Sequence, residues 1–281
     1  MDILPKIKPK NQEILEKLSE MVNYTKDEFT RKPIYKNKLN LKQILLVSMF
    51  AAVNSYTEAI FELCKQSRPE AAIVILRSIV EAWINSMYVL GHPNDRLLYL
   101  FAIEDSYYRK SLVQLLQDYY TRYPKQRKKI FTRQKLRDMS KVPSDELAYY
   151  KSKLGISFKK KKEFDKEWGS LLDRAIGIDQ KLKTKQKDKS GGVEHTYLLA
   201  YKHLSEYVHL SMRGIQHFWI NNDKGDMLIL DKNPNNIDLV LKSSFTFYLY
   251  FASKLKQYKI IDCSLAKYHN FFKKKLYEPS V

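Results

Sequence analysis

With 281 residues, 44% of them hydrophobic, the chain can bury one large core or two modest ones, and its eight glycines and nine prolines disfavour a turn-rich sheet protein. Two cysteines, Cys64 and Cys263, exclude a disulfide framework, lack metal-type spacing and fit a reducing cytoplasm. A formal net charge of +19 points to an anionic partner such as nucleic acid, although 39 lysines against 11 arginines also describe a lysine-rich solvated surface.

The N-terminal residues hold no signal-type apolar run. The strongest such run elsewhere, residues 44–53, contains Ser48 and is short for a bilayer, so no membrane contact is expected. A first amphipathic helix is predicted from residue 11 to about 31, with Ile14, Leu15, Leu18, Met21 and Val22 at helical spacing. A second starts near Asn40 and runs past Leu63. Ser67 is an N-cap candidate, with Pro69 early in a third helix that Gly91 and Pro93 close. A fourth pattern spans 96–123, with Leu97, Leu98, Leu100, Phe101, Leu112 and Leu115 as its apolar positions.

Between residues 125 and 162 stand fourteen lysines or arginines against three acidic residues. Pro143 is expected to break this block, and residues 181–192 read as a loop. The expected organisation is a helical bundle formed by 1–123 and 193–281, with 124–192 as a basic insertion or protrusion. A helix over 193–218 is followed by a small hairpin around residues 218–230 and two aromatic-rich helices, over 236–258 and 262–277. The predicted fold class is therefore all-α: a helical bundle with a small β-hairpin and a basic insertion.

The third helix carries the clearest chemical signal. Residues 71–90 are apolar on every side, which predicts a central buried helix, yet Arg77 and Glu81 lie i, i+4 on one face of it. Burying both charges costs several kcal/mol per ion unless they find partners. On the 193–218 helix, a 100° step per residue aligns Lys202, Ser205, His209, Arg213 and Gln216, while Tyr197, Tyr201, Leu204, Val208, Met212 and Ile215 form the apolar face. The two helices are expected to pack side by side, so that Ser205 and His209 meet Arg77 and Glu81, with Tyr88 or Tyr201 lining the cluster. Such a network is either catalytic or a structural device that fixes helix register. Glu206 and His209 also form one Glu-x-x-His element, but a helical di-iron site wants two on separate helices, and no metal or cofactor is expected.

The segments Arg77-Ser78-Ile79-Val80-Glu81 and Tyr201-Lys202-His203-Leu204-Ser205-Glu206-Tyr207-Val208-His209, followed by a hairpin and two helices, resemble the bacterial helical family catalogued as domain of unknown function 5677. The resemblance covers roughly residues 40–120 and 190–260. That family is distantly similar to the HEPN superfamily, helical bundles that often dimerise and include metal-independent ribonucleases of toxin and anti-phage systems. The resemblance implies His209 as general acid or base, Arg77, Glu81 and Ser205 beside it, and Lys202, Arg213, Tyr88 and Tyr201 at the substrate. The superfamily motif sets four to six residues between an arginine and the histidine that follows it, and this chain departs from it: a lysine, Lys202, stands seven before His209, and only three residues lie between Arg213 and His217.

Arg127, Lys128, Lys129, Arg133, Arg137, Lys159, Lys160, Lys161 and Lys162 are the predicted nucleic-acid contacts, with RNA favoured over DNA. Two functions follow from the sequence. One is a ribonuclease-type toxin or antiviral defence effector, with a homodimer or a protein partner encoded nearby; the other is a non-catalytic nucleic-acid-binding or protein-binding regulatory module.

Overall fold

A computed structural model describes residues 9–123, 133–155, 158, 161–185, 192–202, 219–222, 225–228 and 236–277. Among the described residues the protein is all-α apart from one two-stranded ribbon. Its helices are α1 (Pro9–Arg31), α2 (Leu41–Lys65), α3 (Pro69–Leu90), α4 (Arg96–Arg122), α5 (Arg133–Leu154), α6 (Lys161–Trp168), α7 (Leu171–Lys185), α8 (Val193–Thr196), α9 (Asn236–Gln257) and α10 (Ala266–Phe272). π-Helical turns follow α8 (Tyr197–Lys202) and α10 (Lys273–Tyr277). β1 (Trp219–Asn222) pairs antiparallel with β2 (Gly225–Leu228), Trp219 opposite Leu228.

Local chemistry sets the helix ends. Asn40 and Gln43 close a reciprocal capping box at the start of α2, their side chains accepting each other's backbone N–H at 3.0 and 2.9 Å. Ser67, expected to open α3, instead closes α2. Its φ of 55° and the bonds Ser67 N–H to Cys64 O and Arg68 N–H to Leu63 O make a Schellman motif with serine in the left-handed position. Lys259, φ 57°, ends α9 in the same way through Ile260 N–H to Leu255 O.

The chain divides into two compact units, residues 1–87 with 175–281 and residues 88–174. These boundaries differ from those expected at 123/124 and 192/193. In the first unit α9 buries Ile237, Val240, Leu241, Phe245, Phe247, Tyr248, Leu249, Phe251, Ala252 and Leu255. Tyr248 bonds to Thr25 of α1 and donates to Asn54 of α2 at 2.9 Å, and Phe50 packs between Phe29 and Tyr248. Burial and the missing solvent push the Tyr248 phenol well up. α3 buries Ala72, Ile73, Leu76, Ile79, Val80 and Ile84 as well, and each of the two helices keeps an exposed apolar residue, Val74 at 41% on α3 and Leu239 at 42% on α9, so α3 is not enclosed all round. α2 and α3 are both long and apolar enough to cross a membrane by length and composition, which the uninterrupted run at 44–53 understated. Part of their apolar surface is used internally, Phe50 of α2 on Tyr248 and Trp83 of α3 on Phe247.

In the second unit, α4 packs along α5 and against α6. The described part of the basic segment is therefore largely helical and packs on α4. Pro143, Leu147, Phe158, Phe164 and Trp168 supply a buried apolar seam, while its described lysines stay outside or half-buried. Tyr107 and Phe158 pack on Phe164, Tyr99 on Tyr150, and Arg109 joins Asp105 to Glu146. Pro143 sits inside α5 instead of breaking it, and Ser144 Oγ donates to the Ser140 carbonyl at 3.0 Å in the turn it disturbs. Residues 181–185, expected in a loop, continue α7. Leu112 and Leu115, two of the apolar positions of the fourth pattern, are exposed.

Candidate functional site

Arg77 and Glu81 do share a face of α3, and Tyr201 joins them. The Arg77 Nη2 donates to the Tyr201 hydroxyl at 2.6 Å, and that hydroxyl lies 3.4 Å from Glu81 Oε2, at the long limit of a hydrogen bond. The guanidinium carbon stands 4.4 Å from the centre of the Tyr201 ring, and Tyr197 stacks on the same ring, centroids 5.2 Å apart and planes 21° apart. All four side chains are half-buried. Burial, and after it the Glu81 carboxylate, hold the Tyr201 phenol above the ordinary tyrosine range. The hydroxyl therefore stays protonated at neutral pH, accepting from the cation and facing the anion.

The segment carrying Tyr201 is fixed from an unexpected direction. Asp179 on α7, buried, accepts the backbone N–H of Val193 at 2.9 Å and of Glu194 at 2.8 Å, capping the start of α8. Immediately beyond, the backbone widens into the π-helical turn Tyr197–Lys202, a form found as a short insertion at functional positions. Tyr197 and Tyr201, placed together on the apolar face by a 100° step, do share a face, and it is this face, not that of exposed Lys202, that meets Arg77 and Glu81.

Of the other predicted site residues, Lys202 is described and exposed. Tyr88 packs edge-on against Trp168, 5.7 Å between centroids, within the second unit. Ser205, His209 and Arg213 lie outside the described residues, as do Arg127, Lys128, Lys129, Lys159 and Lys160. Arg133 and Arg137 are on α5. Lys161 pairs with Asp165 at 2.6 Å, and Lys162 is exposed. Two clefts, of about 220 and 350 Å³, lie between α1 and α2, lined by residues such as Leu18 and Phe61 or Phe29 and Phe50. Neither includes the Arg77 cluster. Among the described residues no three His, Cys, Asp or Glu come together as a metal site.

Tyr197 and Asp179 are the participants that sequence reasoning missed. Tyr197 had a usable signal, its i, i+4 spacing to Tyr201. Asp179 had none, because its partners are backbone groups fourteen and fifteen residues away.

These features define an all-α protein with a half-buried arginine–tyrosine–glutamate cluster between its third helix and a π-helical turn. The chain belongs to a family of unknown function (DUF5677), whose model matches residues 43–226. The match covers one span, which includes the cluster and the basic segment and stops short of α9, in place of the two blocks anticipated at 40–120 and 190–260. No curated protein and no solved structure matches the chain.

Proposed function

We propose that the protein is a HEPN-like, metal-independent endoribonuclease, a toxin or antiviral defence effector, with RNA bound at the Arg77 cluster. The observation that carries the reading is the guanidinium of Arg77, held half-buried by the Tyr201 hydroxyl in a chain of net charge +19. A cation fixed in low-dielectric surroundings is the group a phosphodiester needs as charge builds on its oxygens. In the proposed reaction His209 takes the ribose 2′-hydroxyl proton while the 2′-oxygen bonds to phosphorus. The bond to the 5′-oxygen breaks, a proton is returned to that oxygen, and the products are a 2′,3′-cyclic phosphate and a 5′-hydroxyl.

The mutual engagement of Arg77, Tyr201 and Glu81 favours a second reading, a non-catalytic nucleic-acid-binding or protein-binding module in which the trio is structural. Incubating the protein with labelled single-stranded RNA, with and without EDTA, separates the two. The first reading expects chelator-resistant cleavage lost in His209→Ala, and RNA binding weakened in Arg77→Ala. Salt-sensitive binding without cleavage, unchanged in His209→Ala, selects the second. Wild-type protein that neither cleaves nor binds RNA sinks the first reading and the nucleic-acid form of the second.

A further inference from the structure

Helix α4 buries one side and leaves the other bare. Ser106, Val113 and Tyr120, seven residues apart, are buried, and Arg109 beside them reaches Glu146 of α5. Away from that side Tyr108 is 67% exposed, Leu112 44%, Leu115 65%, Tyr119 41% and Tyr123 54%. Their spacing of four, three, four and four residues keeps all five on one stripe of the helix, about 22 Å long at 1.5 Å per residue. At ~200 Å² per side chain and about half exposed, the stripe offers on the order of 500 Å² of largely apolar surface, within the range in which a monomer's largest patch is often functional. The positions between them near the middle, Ser111 and Gln114, are uncharged, while the basic segment begins two residues past Tyr123.

We propose that this stripe docks an amphipathic helix of an acidic partner protein, whose apolar face covers Tyr108 to Tyr123 and whose carboxylates answer the chain's net charge of +19. The spacing selects a helix, because alternating four and three is the seam by which helices pack. A nucleic acid needs no such period, and Leu112 and Leu115 offer its bases no aromatic face. Charge selects an acidic partner over a second copy, since two chains of +19 bring like charge to like. About 500 Å² from each side makes a total near 1,000 Å², enough for a reversible complex.

The probe is a synthetic helical peptide with leucines on one face and glutamates flanking them, titrated into full-length protein by fluorescence anisotropy. A lysine-flanked version and a single-stranded oligonucleotide are run in parallel. The acidic peptide is expected to bind, and to bind at least about tenfold more weakly to Leu115→Ser, to Leu112→Ser and in high salt, with the lysine version weaker by a similar factor. Both leucines are exposed, so circular dichroism should show the variants folded, and Arg77→Ala should bind the peptide like wild type. Absence of binding overturns the proposal, as does equal binding to Leu115→Ser. A wild-type dimer that Leu115→Ser dissociates in sedimentation overturns it in favour of a second copy. Loss of oligonucleotide binding in Leu115→Ser, with peptide binding intact, overturns it in favour of nucleic acid.

Discussion

Tyr201→Phe removes one oxygen from the Arg77 cluster and leaves the ring in place. The lost bond is the 2.6 Å contact from the Arg77 guanidinium, a charge-assisted hydrogen bond in a half-buried setting, while the 3.4 Å approach to Glu81 contributes little. Bonds to charged groups contribute about 1.5–3 kcal/mol when desolvated, and partial solvent access lowers this to about 1–2 kcal/mol here. For a protein of this size that corresponds to a melting shift of about 2–3 °C. The guanidinium–ring contact at 4.4 Å and the Tyr197 stack survive in the phenylalanine variant but not in Tyr201→Ala, which should cost about 3–4 kcal/mol. Urea unfolding followed by circular dichroism measures both. The pH dependence provides a second check. The phenol's folded pKa is raised above its ordinary 10.0, so its contribution is fully present below about pH 10 and is lost as pH rises beyond it; Tyr201→Phe should flatten part of that alkaline loss. A Tyr201→Phe protein as stable as wild type would mean that the hydroxyl does not hold Arg77. One as unstable as Tyr201→Ala would mean that the ring contacts carry nothing.

Asp179→Ala should destabilise by about 2 kcal/mol, since it strips a buried carboxylate from two backbone N–H groups, and Asp179→Asn, which keeps one acceptor, should lose about half of that in the same urea assay. Lys259→Gly should stabilise by about 1 kcal/mol, because φ 57° costs a side-chain-bearing residue what it does not cost glycine; an unchanged or lowered urea midpoint would refute it. His269, 3.0 Å from Ser253, has its pKa pushed down by burial and then by Lys273. Its depressed folded value means a contribution present above the ordinary 6.5 and lost as pH falls through the folded value; thermal scans should show His269→Gln with a flatter acid limb than wild type.

Much of the fold was legible because helix ends are decided locally. Asn40 with Gln43 starts α2, and Pro69 lies at the first position of α3, where its missing N–H costs nothing. Burial in the first unit follows area as well as residue type: Phe245, Phe247, Tyr248 and Phe251 of α9 are buried, as are Ile73, Leu76, Ile79 and Val80 of α3, the helix that counting apolar residue types picks out. In the second unit charge and burial coexist, because the described lysines stay outside or half-buried and leave Leu147, Phe164 and Trp168 free to pack inward.

The site was legible as far as pairwise spacing reaches. Two charges an i, i+4 step apart in an apolar helix demand company, and the demand alone identifies Arg77 and Glu81 as members of a cluster. Which residue answers depends on the rotation of the second element, and the face of Tyr197 and Tyr201, not that of Lys202, is the one turned to the charges. Periodicity has the same limit on α4. The 4-3-4 spacing of Tyr108, Leu112, Leu115 and Tyr119 puts them on one face of the helix, but the sequence does not say whether the same chain covers that face. The structure leaves these side chains exposed while Val113 and Tyr120 face inward, so the apolar pattern around α4 serves two purposes at once: one side closes the second unit, and the other is free for a partner.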